Sequence, residues 1–181
     1  VTNLIPNKIQ LSTVTQILQN LLSEGIPVKD MRTITEALTI SKSEPSDADA
    51  LTAEVRPKLG RMIIQPLIDP AGKLTVITFA GDLERILESS HQKSDGAHVL
   101  LEPKLAESIL KALADNAHQI QEKGAVPVLV VSPNLRQWLA KFVKLRVPEL
   151  HVLAYTEIPE EQKIELFGSI GGDNAIEDGG R

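Results

Sequence analysis

The position best placed for nucleophilic chemistry is Ser132, directly after an aliphatic run and before a predicted helix. A nucleophile elbow needs glycine on both sides of its serine, whereas the neighbours here are Val131 and Pro133. A serine followed by proline is also a common helix start, in which the hydroxyl caps the first turn. We therefore predict that Ser132 caps a helix and is not catalytic.

The other side chains that could take part in catalysis, metal binding or cofactor binding do not match a known motif. The four histidines never occur as an HxxxH pair, so solvated histidines are predicted at His91, His98, His118 and His151. The chain has no cysteine, which excludes disulfides and thiolate ligands. Neither GxxxxGK[ST] nor GxGxxG occurs. The sequence predicts no catalytic residue, no metal site and no cofactor.

Two acidic clusters have the side chains for acid–base chemistry, but both lie in predicted loops close to proline. Solvated turn residues are therefore the better interpretation. The clusters are Asp47 with Asp49, and Glu157 with Glu160 and Glu161.

Composition indicates an ordinary globular protein of 181 residues with 42% hydrophobic residues and a net charge of −5. No face is strongly basic, which argues against nucleic acid as a partner. No apolar run approaches the roughly 20 residues that span a bilayer. Because the chain begins at Val1, close to a helix signal, we interpret it as a piece of a longer protein.

The first half is predicted to be helical. Ser12 would cap a helix that ends at Gly25, a second helix starts at Asp30, and a polar loop covers residues 41–49. A third helix follows, in which Pro57 implies either a kink or a wrong boundary. The buried residues expected are Val14, Ile17, Leu18, Leu21, Leu22, Met31, Ile34, Leu38, Leu51, Val55, Leu59 and Ile63.

The second half mixes strands and helices. We predict a hairpin around the turn at residues 69–72, a short helix at 82–87, a polar loop at 89–98 and a long helix from Pro103. Strands at 126–131 and 152–155 flank a helix to form a parallel strand–helix–strand unit. Core positions on that helix are predicted at Leu135, Trp138, Leu139 and Phe142, and a last strand carries Ile164, Leu166 and Ile170. The predicted fold class is therefore α+β or α/β, with a helical subdomain (1–64), a small α/β subdomain (65–172) and a loose acidic tail (173–181).

Several segments resemble one family when taken together. Residues 14–34 (VTQILQNLLSEGIPVKDMRTI), 51–61 (LTAEVRPKLGR) and 101–106 (LEPKLA) are similar to motifs of the FlhA/LcrD-type export-gate proteins of bacterial flagella and type III secretion. Residues 127–136 (PVLVVSPNLR), 152–159 (VLAYTEIP) and the closing Ile170-Gly-Gly resemble the end of the same proteins. The closing residues favour the flagellar branch over the virulence injectisome.

The resemblance implies a non-enzymatic part of the export gate at the cytoplasmic face of the bacterial inner membrane. This chain would hold the third and fourth subdomains of the cytoplasmic region. The implied partners are further copies of the protein in a homo-oligomeric ring, export chaperones with their substrates, the export ATPase complex and other export-gate subunits. The chaperone pocket of the family lies mainly in subdomains that this chain does not include.

Two functions of different classes remain open at this stage. In the first, the chain is a docking and ring-forming module, and Arg32, Arg56 and Arg61, which lie in the family-like motifs, form contacts between subunits or subdomains. The simpler interpretation of each arginine is a solvated helix charge. In the second, residues 128–155 form a small ligand-binding or enzymatic α/β domain, which the missing motifs disfavour.

Overall fold

A computed structural model of the protein describes residues 9–93 and 101–171. These residues form two compact units. The helical unit comprises the chain up to Pro66 together with Glu157–Pro159, and the α/β unit comprises Leu67–Thr156 and the chain from Glu160 onward. The predicted tail, residues 173–181, lies outside the described residues. The fold class, helices followed by a mixed unit with a parallel sheet, is confirmed.

From residue 9 onward, the helical unit contains four α-helices: α1 (Leu11–Ser23), α2 (Met31–Ile40), α3 (Ala48–Val55) and α4 (Gly60–Ile64). The cap predicted at Ser12 is wrong, because α1 begins at Leu11 and Gln10, two residues earlier, occupies the cap position without a side-chain hydrogen bond. Asp30 does cap α2, since its carboxylate accepts a hydrogen bond of 3.0 Å from the Thr33 amide. The core is formed by aliphatic residues of all four helices, among them Ile17, Leu21, Ile34, Leu51, Val55 and Ile63. Three residues predicted to be buried are not, since Leu18 is half-buried and Leu22 and Met31 are exposed.

Pro57 interrupts the third predicted helix. The chain forms α3, then a 3₁₀ turn at Arg56–Leu59, then α4. Proline lacks the amide hydrogen that an α-helix needs at an interior position, and its ring crowds the preceding turn. The tighter 3₁₀ turn keeps Val55, Leu59 and Ile63 buried although the helix is broken.

The α/β unit is built on a four-stranded sheet in the order β3-β2-β1-β4, with every neighbouring pair parallel. The strands are β1 (Lys73–Phe79), β2 (Val128–Val131), β3 (His151–Ala154) and β4 (Lys163–Ile170). Helices α5 (Gly81–Lys93) and α6 (Pro103–Glu122) connect β1 to β2, and α7 (Pro133–Lys144) connects β2 to β3. The predicted strand–helix–strand unit is confirmed.

The hairpin predicted around residues 69–72 is wrong. The turn itself forms, since the Gly72 amide donates to the Asp69 carbonyl at 2.9 Å and Gly72 has a φ of +77°. However, β1 pairs with β2 and β4 instead of a strand before the turn. The aliphatic residues at 67–68 have the pattern of a strand, but a local pattern does not determine which strand pairs with β1.

One face of the sheet packs against α5, α6 and α7. Ile77 and Phe79 of β1, Leu129 and Val131 of β2, and Val152 of β3 join buried residues of the three helices: Leu83, Leu87, Ile109, Leu113, Ala117, Ile120, Leu135, Leu139 and Val143. Right-handed crossovers that all run in one direction along the sheet place their helices on the same face. This arrangement leaves the carboxyl ends of β1 and β2 close to the start of α5.

Two helix predictions in this unit need correction. The short helix at 82–87 continues to Lys93, so the first part of the predicted loop at 89–98 is helical, while residues 94–98 lie outside the described residues. On α7 the buried stripe is Leu135, Leu139 and Val143, whereas Trp138 and Phe142 are half-buried and stack at 5.2 Å between ring centroids. The aromatic pair therefore covers the edge of the core. Among the residues that the structure describes, no helix combines the length and apolar character that a membrane crossing requires.

Candidate functional site

Arg56 is the centre of a buried ion-pair network in the helical unit. It lies at the end of α3, and its side chain is only 2% exposed. Its Nη1 contacts Glu24 Oε2 at 2.5 Å, its Nε donates to Glu157 Oε1, and its Nη2 lies 3.4 Å from Glu157 Oε2. A guanidinium can donate to one carboxylate through Nε and one Nη, and its other Nη then remains available for a second carboxylate.

Glu157 was predicted to be a solvated turn residue, and this prediction is wrong. Its side chain is 2% exposed and pairs with Arg56, a residue 101 positions earlier in the chain. A carboxylate is retained in such a site only when a charge and hydrogen bonds compensate for its lost hydration. The other members of the predicted cluster, Glu160 and Glu161, are exposed as expected.

Gly60 allows the Glu157 backbone to approach α4. A Cβ atom placed on Gly60 would lie 2.3 Å from the Glu157 carbonyl oxygen, closer than any side chain tolerates. Residues Glu157–Pro159 are therefore held against the helical unit by a backbone contact as well as by the ion pair. Nothing in the local sequence predicts this contact, because its two partners are distant along the chain.

The three arginines predicted to form contacts have different environments. Arg32 is 87% exposed and forms an i,i+4 ion pair of 2.9 Å with Glu36 on α2. Arg61 lies exposed on α4, whereas Arg56 is buried. The interpretation as a solvated helix charge therefore fails for Arg56. Contacts of Arg32, Arg56 and Arg61 with another subunit or subdomain stay a prediction.

Helix α1 carries an exposed apolar stripe. We define the α1 stripe as Leu11, Thr15, Leu18 and Leu22, which recur at the spacing of one helical face. Leu11 is 81% exposed and Leu22 is 54% exposed, while Leu18 is half-buried. Apolar side chains aligned on one exposed helix face are a common feature of protein–protein contacts.

The capping role predicted for Ser132 is wrong. Ser132 stands at the cap position of α7, but its side chain makes no capping hydrogen bond, and its buried Oγ has no hydrogen-bond partner among the described residues. Instead, its backbone amide donates to Glu84 Oε1 of α5 at 3.0 Å. A carboxylate near a helix N-terminus is favourable because it faces the positive end of the helix dipole. Glu84 of α5 thus supplies the carboxylate at the N-terminus of α7.

Among the described residues, three groups have displaced pKa values. Hydrogen bonds from the Thr33 side chain and backbone lower the pKa of Asp30. Burial alone would raise the pKa of Glu54, but hydrogen bonds from Ser41 and Ser43 outweigh it and lower that pKa. Partial burial lowers the pKa of His151 by disfavouring its charged form. Within residues 9–93 and 101–171, no group of three or more His, Cys, Asp or Glu side chains is placed to hold a metal ion.

Comparison with known proteins identifies the family. The family model described as "FHIPEP family" matches residues 1–163. The chain is also 40% identical over 172 residues to the flagellar biosynthesis protein FlhA of Proteus mirabilis, which covers 95% of this chain and 24% of that protein. The chain belongs to the FHIPEP family. It spans about a quarter of the length of this FlhA relative (24%), and the predicted membership in the export-gate family is confirmed.

Solved structures similar to this FHIPEP-family chain include two secretion proteins. The nonameric EPEC SctV-C structure superposes with a TM-score of 0.77 at 26% identity, over 90% of this chain and 49% of that one. The complex of the Chlamydia pneumoniae CdsV and CdsO proteins gives a TM-score of 0.74 at 28% identity, over 93% of this chain and 48% of the matched chain. The helical unit and the α/β unit thus have the folds found in export-gate proteins.

Proposed function

We propose that this chain is a non-enzymatic docking and ring-forming part of the export gate of a flagellar type III protein export apparatus. The observation that carries the proposal is the similarity along nearly the whole chain to an FlhA protein, at 40% identity over 172 residues. Identity to the EPEC SctV-C chain is lower, at 26%. This difference favours the flagellar branch over an injectisome. In the complete protein the chain would lie on the cytoplasmic face of the inner membrane.

Within this role, the helical unit contacts neighbouring copies of the protein. The related EPEC SctV-C is described as nonameric, so a ring is the form of self-association that this relative supports. A ring uses one head-to-tail interface repeatedly, and such an interface needs an exposed apolar patch on each copy. The α1 stripe, with Leu11 81% and Leu22 54% exposed, has that character. Arg32 and Arg61, both exposed, supply charges that further contacts of the helical unit with a neighbouring copy would use.

The α/β unit binds export partners, namely chaperones with their substrates, the export ATPase complex and other export-gate subunits. One relative, the Chlamydia pneumoniae CdsV protein, is described in complex with the CdsO protein, which supports a partner of this kind. The net charge of −5 disfavours nucleic acid as a partner.

The ring contact can be tested by changing the α1 stripe in the complete chromosomal gene. Leu22→Glu places a charge in the stripe, whereas Ser12→Glu adds the same charge to another exposed face of α1. We expect Leu22→Glu to abolish export of filament protein into the culture supernatant at normal abundance of the membrane-bound protein, and Ser12→Glu to retain export. Equal export by the two variants would overturn the assignment of the stripe.

The branch of secretion system can be tested by truncating the same gene just before Val1. Loss of filament protein from the supernatant, with virulence effectors still exported, is expected for the flagellar export gate. Loss of effectors alone would assign the chain to an injectisome, and normal export of both would refute the export-gate role. For the non-enzymatic proposal, the melting temperature of the chain should not rise with common nucleotides, because a nucleotide site at a hundredfold excess of ligand over its dissociation constant adds about 2.7 kcal/mol.

A further inference from the structure

An open groove of about 510 Å³ lies at the carboxyl ends of β1 and β2 in the α/β unit. We call it the Tyr155 groove, after the aromatic residue that lines it and is 60% exposed. Thr78 and Val130 are half-buried in its lining, and Glu84 and Glu88 of α5 lie one helical turn apart along it. A volume of this size falls within the range of small-molecule sites, so the lining residues and not the volume identify the occupant.

The groove carries an excess of negative charge. Glu84 and Glu88 are both half-buried carboxylates. Arg85, the one cation among the described lining residues, already forms an ion pair with Asp82 on the solvent side of α5. Partly desolvated carboxylates attract a cationic group more strongly than fully hydrated ones. The groove therefore complements a positive side chain.

Ser132 supplies an observation that is independent of this charge. The residue lines the groove, is only 8% exposed, and its hydroxyl has no hydrogen-bond partner among the described residues. A buried hydroxyl without a partner is costly, so a site that offers a donor to its oxygen recovers the loss. Rotation about the single Cα–Cβ bond of a serine is enough to turn the hydroxyl toward an occupant.

An anionic occupant is disfavoured although the groove includes the N-terminus of α7. The Ser132 amide already donates to Glu84 Oε1 at 3.0 Å, so the chain's own carboxylate fills the position that a phosphate or acidic side chain would take. An anion would also have to approach Glu84 and Glu88 against like charge.

We propose that the Tyr155 groove binds an arginine side chain presented by a segment of a partner protein. A guanidinium has five donors in one plane, which suits simultaneous contact with the carboxylates of Glu84 and Glu88 and with the Ser132 hydroxyl. Its flat face stacks on the Tyr155 ring, and aliphatic neighbours of the arginine rest on Thr78 and Val130. This inference rests on the docking role proposed for the α/β unit and names the chemistry of one docking site.

The proposal can be tested by nuclear magnetic resonance on the ¹⁵N-labelled 181-residue chain. The probe is N-acetyl-arginine amide, and the matched control is N-acetyl-citrulline amide, which has the same shape without the charge. We expect saturable shifts of the Gly81, Glu84, Ser132 and Tyr155 amides with a dissociation constant in the millimolar range, as for a single side chain. The citrulline probe should produce no saturable shift at these positions.

Two pairs of variants test separately how the Glu88 charge and the Tyr155 ring contribute to arginine binding. Glu88→Gln should weaken arginine binding about two- to fivefold, whereas Glu149→Gln, located before β3 at the opposite end of the sheet, should leave it unchanged. Tyr155→Leu should weaken binding by a similar factor and Tyr155→Phe should not, because the phenylalanine ring still stacks. Each variant is first checked for a native amide spectrum.

Equal response to the two probes, or equal binding by Glu88→Gln and Glu149→Gln, would overturn the proposal. This outcome is distinguishable from failure of the proposed function. The titration is made on the purified chain, and the Leu22→Glu export phenotype does not depend on its result.

Discussion

Replacing Arg56 with methionine should destabilise the helical unit strongly. The substitution keeps an unbranched side chain but removes the guanidinium that compensates for Glu157, which is 2% exposed. Glu24 is 29% exposed and can regain water, so most of the cost arises at Glu157. Removing one partner of a buried ion pair costs about 3–5 kcal/mol. This is a large fraction of the roughly 5–15 kcal/mol that stabilises a domain.

Urea unfolding with two signals measures this effect. Circular dichroism at 222 nm reports the helices of both units, while the fluorescence of Trp138, the only tryptophan, reports the α/β unit, so a transition seen in dichroism and not in fluorescence belongs to the helical unit. We expect Arg56→Met to lower the free energy of unfolding by about 3–5 kcal/mol in the dichroism signal. Arg32→Met is the matched control, and since Arg32 is 87% exposed its removal should cost less than about 1 kcal/mol.

A double variant tests whether the unpaired charge is the cause. Arg56→Met/Glu157→Met removes both charges and leaves the backbone contact of Glu157 with Gly60, so its stability should return to within about 2 kcal/mol of the natural chain. The reasoning is refuted if Arg56→Met costs no more than Arg32→Met. It is also refuted if the double variant is less stable than Arg56→Met alone.

Three smaller perturbations test other contacts. Gly60→Ala should lower the free energy of unfolding in urea titrations by about 1–3 kcal/mol, because its Cβ would lie 2.3 Å from the Glu157 carbonyl oxygen. The control Gly81→Ala has open space around the new atom and should change this free energy by less than about 1 kcal/mol. Equal costs of the two substitutions would contradict the close approach of Gly60 and Glu157. Ser132→Ala should be neutral or stabilising by up to about 1 kcal/mol in Trp138 fluorescence, because it removes an unpartnered buried hydroxyl; a loss of about 1 kcal/mol would instead indicate a cap. Because hydrogen bonds hold the pKa of Glu54 below its ordinary value of 4.5, the unfolded state takes up the proton first, and stability should fall as the pH drops through and below that value. Glu54→Gln should flatten this acid limb of the urea midpoint, and an unchanged limb would argue against the role of these hydrogen bonds.

Local sequence patterns were sufficient for most of the secondary structure. The aliphatic run at Val128–Val131 and the serine–proline pair after it predict a buried strand followed by a helix, and both form. Pro57 indicates a break in the third helix, and the break occurs there. These features depend on residues a few positions apart, so periodicity and backbone stereochemistry decide them.

The errors at Leu67–Ile68, Trp138 and Ser132 have a different origin. The apolar pair at 67–68 forms no strand because β1 has better partners in β2 and β4. Trp138 has the helical spacing of a core residue but lies at the border of the buried stripe. The Ser132 hydroxyl makes no capping hydrogen bond, and the Ser132 backbone amide donates to Glu84 of α5. At residues 67–68 and at Ser132, groups from distant parts of the chain determine which contacts form, whereas the exposure of Trp138 depends on where the buried stripe of α7 ends.

The sequence alone thus determined the family, the fold class and the positions of most elements, since these are carried by ordered motifs and by repeating apolar residues. Only the tertiary structure decided that Glu157 is buried against Arg56, 101 positions earlier, and that Glu84, Glu88 and Tyr155 line one groove. A buried charge pair and a groove both require side chains from separate elements to meet. The interaction energy of these charged groups depends on the distances between them, which no local sequence pattern encodes.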